Sequence, residues 1–292
     1  MASMRDIKRR KSSIESTQQI TKAMKLVSTV KLQKAKAKAE QSQIYFDMLY
    51  KTMSSILAKA SGINHPYLKA DSTGKKAVIM ITSNKGLAGG YNSNIIKLIT
   101  KNDDFTKDNT LIYAIGKKGK DAMNRYGYEI KEEYPEVIEE PAYQDAVAIT
   151  KELLNAFEAG EINEIYLAYT FFRNTVSHVP TLRKLLPMDI DSIELTEEDQ
   201  DKDIKAEAPM NFEPEDEEAL NLIIPKYITS QLYGGLIESI ASENGARMQA
   251  MDSATNNAAE MIDHLTLLYN RARQSSITQE LTEIIAGADA IN

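Results

Sequence analysis

An α/β fold carried between two long terminal helices is what the sequence predicts, and three observations predict it. From about residue 4 to residue 58 there is neither proline nor glycine, and Lys, Ala, Gln, Met and Leu dominate, which is the composition of one long helix. Between residues 75 and 190, short β-branched and apolar runs alternate with helical stretches, the pattern of a mostly parallel sheet with crossover helices. From Met248 onward, apolar or small residues recur at alternating steps of three and four, a heptad seam. Two seamed helices at opposite ends of one chain bury each other as an antiparallel coiled coil, and the middle becomes an inserted Rossmann-like α/β domain.

The elements follow in order. The first helix occupies residues 1–60, with apolar positions at Ile20, Met24 and Val27 and again at Tyr45, Leu49, Met53, Ile56 and Ala60. At 1.5 Å per residue it reaches roughly 80 Å, longer than a compact domain is wide, so most of its cover comes from outside a globular core. It ends where Ser61-Gly62 and Asn64-His65-Pro66 break helices. The α/β domain spans residues 75–190, with strands at AVIMIT (77–82), LIYAIG (111–116) and EIYLAYTFF (164–172). Helices are expected near 91–101, 117–126 and 142–159, and SHVPTLRKLLP (177–187) is expected to pair as an added strand. Residues 191–213 form an acidic connection; over 191–218 thirteen Asp/Glu stand against two Lys, the mark of a solvated stretch. The second long helix takes residues 214–288. Pro214 suits its first turn, Glu215 to Glu218 suit its positive end, and Pro225 is expected to bend it. Its seam reads Met248, Met251, Thr255, Ala258, Ile262, Leu265, Tyr269, Ala272, and Ile277, Leu281, Ile284 and Ile285 continue it.

Composition removes several classes of chemistry. The chain has no cysteine, which excludes disulfides, thiolate metal sites and a cysteine nucleophile. His65, His178 and His264 lack the paired spacing of a zinc site, so no metal is expected. No window reaches the roughly 18–20 apolar residues of a membrane span, and MASMRDIKRRKSS has no apolar run behind its basic start, so a soluble chain without a secretory signal is expected.

The stretch MITSNKGLAGGYN sets a glycine-rich turn between a strand and a helix, as phosphate-binding loops do. It lacks the GxxxxGK[ST] of a P-loop, and glycines 86, 89 and 90 miss the GxGxxG spacing. Gly86, Gly89 and Gly90 are therefore read as supplying positive φ or close backbone approach in a tight turn. No catalytic residue and no cofactor is assigned. An α/β nucleotide-binding enzyme with helical arms remains the alternative.

Charge is unevenly placed. Residues 1–40 carry eleven Lys/Arg and three Asp/Glu, a net of +8, whereas the whole chain is −7, leaving −15 on the rest. Lys31, Lys34 and Lys38 fall on one helical stripe, with Lys22 and Lys25 a turn or two earlier. Nucleic acid, anionic lipid and an acidic protein surface all fit such an arm. The same 40 residues contain no aromatic side chain to stack on bases, so an acidic protein fits at least as well as a nucleic acid.

Three stretches resemble the gamma-subunit family of F-type rotary ATP synthases, of bacterial type. They are MASMRDIKRRKSSIESTQQITKAMKLVS at the start, SNKGLAGGYNSNI in the middle, and SENGARMQAMDSATNNAAEMI with LTLLYNRARQSSITQELTEIIAGADA at the end. The resemblance covers the whole chain in order. It implies a non-catalytic central rotor stalk, one copy per complex, turning inside three alpha and three beta subunits. The inserted domain would sit at the foot with the epsilon subunit and the membrane c ring, peripheral at the cytoplasmic face of the cell membrane, with no nucleic acid. Rotation driven by ion flow would press the asymmetric shaft on each beta subunit in turn. By motif, Met24 of ITKAM lies beside the acidic lever of beta, with Lys25 following and Lys31 two turns on. Arg273, Gln274, Thr278 and Glu280 match RQxxITxE, and Arg247 of ENGARM matches a contact arginine. Lys11 departs from a usually apolar position, which bears on packing of the first turns. SNKGLAGG departs from the family's usual loop, which has Asp before the basic residue and Cys between the glycines. No thiol switch is possible.

Overall fold

A computed structural model of the chain describes residues 4–59, 65–68, 74–188 and 216–289. The expected acidic connection, Pro214 and Ala60 lie outside the described residues, as do the side chain of Ile56 and that of the helix-start acid Glu218. The chain divides into two units, Met1–Val30 with Arg247–Asn292, and Lys31–Ala246. Helix α1 runs Met4–Lys59 and the C-terminal helix, α5, runs Asp216–Asp289. The latter passes through Pro225 without interruption, although proline removes one helical hydrogen bond.

In the first unit the two terminal helices pack together in antiparallel sense: Thr21 meets Thr255, and one turn on Lys25 meets Asp252. The first eight residues of the expected α5 seam are covered, with Met251, Ala258 and Leu265 buried and the other five partly so, whereas its expected continuation, Ile277, Leu281, Ile284 and Ile285, is exposed. The α1 seam differs from expectation. Ile20 and Val27 are 60% and 58% exposed, while the buried positions are Ile7, Thr21 and Ser28. Met4, Lys11, Ile14, Gln18 and Lys25 are partly covered. The reason is a conflict of frame. Ile7, Ile14, Thr21 and Ser28 stand seven apart, and the same frame continues to Leu32 and Ala35, which are buried against Ala241 in the second unit. Ile20, Met24 and Val27 sit one residue out of that frame, so a locally better apolar stripe yields to the frame of the whole helix. Lys11 occupies a seam position with its ammonium 3.8 Å from Glu15.

The second unit is built on a five-stranded sheet in the order β3-β2-β1-β4-β5. Its strands are β1 Lys75–Ile81, β2 Thr110–Ile115, β3 Glu129–Glu133, β4 Ile162–Phe172 and β5 His178–Leu186. All pair in parallel except β5, which is the added strand expected from SHVPTLRKLLP and runs antiparallel to β4. Three helices connect them: α2 Tyr91–Thr100, α3 Lys117–Tyr126 and α4 Tyr143–Glu158. Strand β1 is buried on both faces, as a central parallel strand is. Val78 and Met80 meet Ile95 and Ile99 of α2 and Met123 of α3 on one face. Ala77, Ile79 and Ile81 belong to the core of the other face, with Ile149 and Leu153 of α4. Helix α5 adds Leu220, Ile224, Ile228, Leu232 and Leu236 to that core, a run at steps of four with no exposed surface.

Strand β3, EIKEE, carried no sequence signal. It is an edge strand whose charges are paired along the surface, Lys75 with Glu129 at 2.7 Å, Lys131 with Glu161 at 3.4 Å, and Lys120 with Glu133. Charged edges resist pairing with another chain.

Candidate partner-contact surface

The glycine loop closes on itself. Of the three glycines only Gly89 takes a positive φ, +56°, while Leu87 takes another, +64°, without being glycine. Gly90 adopts an ordinary φ of −83° at the start of α2. The glycine that must be glycine is Gly116, at φ +94°, where a Cβ would stand 2.0 Å from the Thr82 carbonyl oxygen. That closeness seats the start of α3 directly on the loop after β1. The Lys117 N–H donates to Asn84 Oδ1 at 3.0 Å, Lys118 N–H to the Ser83 carbonyl at 3.0 Å, and Gly119 N–H to Thr82 Oγ1 at 2.9 Å. A free helix N-terminus is a ready anion site. Here its first donors are spent on the chain's own loop, and Asn84 is held in turn by donating to the Pro135 carbonyl at 2.6 Å.

Ligands of open α/β sheets bind beyond the C-terminal ends of strands where the winding reverses, which in this sheet is between β1 and β4. Strand β1 stays with β4 only to the pair Met80 and Ala168. Just beyond, the Thr170 N–H donates to Ser239 Oγ at 3.3 Å, and the Ser242 hydroxyl donates to the Thr170 carbonyl at 3.1 Å. Two serines of α5 thus take the place of the strand that is missing there. These helix hydroxyls serve the backbone N–H and carbonyl of the buried Thr170.

Beside them Glu238 is partly buried, and that burial pushes its carboxyl up to about 7, with Arg183 pulling the other way. Arg183 lies 5.7 Å from the centre of the Tyr169 ring and donates to Gln231. His178 packs under Gly245, where a Cβ would stand 2.6 Å from Nε2, and burial holds its imidazole below the usual range. Neither Glu238 nor the serines were singled out by sequence, because a lone polar residue on a helix gives no hint of which strand it docks against.

The residues assigned to partner contact divide into three groups. Met24 is partly covered, and Lys25 lies in the seam with its ammonium 2.6 Å from Asp252, the two side chains 40% and 49% exposed. Arg247 is partly covered and Lys31 is exposed, each within its own unit. Arg273, Gln274, Thr278 and Glu280 are all exposed, on a part of α5 where every residue from 273 to 287 except Ser276 is exposed. Continuing the register of the first unit, Ile14 lies level with Ile262 and Met4 with Ala272, so α5 runs on past the start of α1. That stretch carries Ile277, Leu281, Ile284 and Ile285, 49–68% exposed. A second exposed apolar set, Ile20, Leu26, Val27 and Val30, lies on α1 at 52–62% exposure. Sets of this kind mark protein contact surfaces. Asp252 and Thr21, which meet Lys25 and Thr255, went unnoticed; the signal for Thr21 was its step of seven from Ile14.

These features define a class: a coiled-coil stalk made from the two ends of a chain, its own α/β insertion sealed where such folds take ligands. The family model for ATP synthase matches residues 3–291. The ATP synthase gamma chain of Lachnoclostridium phytofermentans is 63% identical over 293 residues, covering all of both chains. Among solved structures, the fold matches the Euglena gracilis mitochondrial ATP synthase rotor with a TM-score of 0.66 at 16% identity, covering 94% of this chain and 98% of that one. It also matches the Tetrahymena thermophila mitochondrial ATP synthase central stalk and c ring with a TM-score of 0.60 at 23% identity, covering 80% and 99%. The chain belongs to the ATP synthase gamma-chain family, the non-catalytic rotor subunit of that complex. Among the described residues no helix is long and apolar enough to cross a membrane.

Proposed function

We propose that the paired terminal helices are the turning shaft inside three alpha and three beta subunits, one copy per complex, and that the inserted α/β unit meets epsilon and the membrane c ring. The complex would place the chain at the cytoplasmic face of the cell membrane as a peripheral protein. The observation that carries this reading is the middle of the seam in the first unit: α1 closes it there with Thr21 and Ser28 while larger apolar side chains, Ile20, Leu26, Val27 and Val30, face outward. A helix pair stable by itself buries its larger apolar residues; this one keeps them for a surrounding partner. The net charge of +8 on residues 1–40 suits an acidic lever on beta, with Met24, Lys25 and Lys31 on the helix that meets it. The exposed Arg273, Gln274, Thr278 and Glu280, together with Arg247, complete the contact set on α5. The sealed start of α3 and the serine-filled end of β4 count against the nucleotide-binding alternative.

The test is ATP hydrolysis by co-purified alpha and beta subunits from the same source, with and without this chain, beside the chain alone. The chain alone is expected to be inactive, to join at one copy per three alpha–beta pairs, and to raise sustained turnover. Failure to join, or hydrolysis by the chain alone, would end the shaft reading.

A further inference from the structure

Helix α1 holds two competing seams. One is the frame of Ile7, Ile14, Thr21 and Ser28 that the structure buries; the other is Ile20, Met24 and Val27, one residue earlier. One residue is about 100° of rotation about the helix axis, so turning the middle of α1 by that amount would bury the apolar stripe and expose the polar one. Over residues 20–28 alone the rotated setting buries more apolar area, since Ile and Val would replace Thr and Ser at the contact, while Ile7 and Ile14 on the same helix favour the observed one. Polar contacts within residues 20–28 add to that frame.

We infer that Asp252 and Thr255 of α5 select it, by clamping Lys25 and Thr21 into the seam. The Lys25 ammonium reaches Asp252 Oδ1 at 2.6 Å, and the Thr21 and Thr255 hydroxyls share a hydrogen bond at 2.8 Å. The four side chains form two adjacent contacts along one groove. Rotating α1 by one residue would break both. Polar residues at seam positions are the established way for coiled coils to choose one arrangement over another at some cost in stability. Asp252 is therefore a positioning residue that acts through Lys25: it keeps Ile20 and Val27 on the outside. In the free chain Lys25 is held by Asp252, which leaves the apolar stripe on the outward face for a partner. That consequence for a partner rests on the shaft reading above; the rotational setting itself does not.

The chain has no cysteine, so a single introduced thiol reports local accessibility without background. Val27→Cys and Ser28→Cys, each in the free full-length chain, are labelled with a maleimide. Ser28 is 2% exposed and Val27 58%, so the Ser28 thiol is expected to react more slowly by about tenfold or more. Adding Asp252→Asn with Thr255→Val should reverse the order, protecting residue 27 and opening residue 28. Lys25→Asp alone should do the same, and Lys25→Asp with Asp252→Lys should restore the original order, since the pair re-forms with its charges exchanged. An unchanged order in the clamp variants would overturn the inference. So would an opening of residue 28 without protection of residue 27, which is helix separation, or failure of the charge exchange to restore the order. In the assembled complex the exchanged pair is expected to keep ion-driven synthesis that Lys25→Asp loses; loss in both, with labelling restored, would count against the shaft contact and leave the clamp standing.

Discussion

At the residue scale, the most consequential side chain is one that sequence gave no reason to notice. Glu238 is raised by burial from an ordinary carboxyl to about 7, with Arg183 as the opposing charge and Tyr169 beside it. A carboxyl whose folded value is raised keeps its proton when the unfolded chain has released it, so the contribution of Glu238 to stability is full below about pH 4.5 and is lost as pH rises through about 7. Glu238→Gln should flatten that fall, by up to about 3 kcal/mol between pH 5 and 8, in denaturant unfolding followed across that range. A parallel decline in the variant and the parent would remove Glu238 as the cause. Met24, partly covered at the edge of the seam, is assigned to partner contact by its motif. Met24→Lys is expected to reduce ion-driven ATP synthesis while changing stability by less than about 1 kcal/mol. Normal synthesis at normal assembly would count against that contact. What the residue scale hid was pairing: the seam places of Thr21, Lys25 and Ser28 went unread because polarity is a poor guide where a heptad frame is set by Ile7 and Ile14 elsewhere on the helix.

At the scale of elements, periodicity carried most of the information. The α5 seam, the three apolar strands, the three connecting helices and the antiparallel addition of β5 all follow from spacing of apolar residues and from glycine and proline punctuation. Strand β3 did not, because EIKEE has one apolar residue in five and gains its place by pairing with β2 and by ion pairs to Lys75 and Lys120. The docking of α5 on β4 was equally silent, since Ser239 and Ser242 are ordinary helix residues until Thr170 is known to lie against them. Replacing both serines by alanine leaves the buried Thr170 N–H and carbonyl without those bonds, and about 2 to 4 kcal/mol of stability should go with them. Thermal unfolding of the double variant tests this; a loss below about 0.5 kcal/mol would mean that water replaces the hydroxyls.

At the scale of the whole molecule, the uneven charge decides how the chain meets its surroundings. With +8 on the first 40 residues and −15 on the remainder, association through α1 should weaken as salt rises past the screening range near 0.15 M, where the Debye length is about 8 Å. Binding of the chain to alpha and beta subunits, measured from 0.05 to 0.5 M salt, should fall by about tenfold or more if charge guides it. An affinity independent of salt would assign the contact to Ile20, Leu26 and Val27 instead. The whole-chain plan was legible because both ends carry seams and the middle carries a sheet; which face of α1 looks outward was not, because it depends on a partner helix more than 200 residues away in sequence. The serines on β4 have one more implication. A sheet in this class ordinarily keeps an opening where its winding turns, and evolution can refill that opening with new ligands. Here the chain has threaded its own axle into the gap, so any descendant that recovered a binding pocket there would first have to give up the anchorage of the helix through which the machine turns.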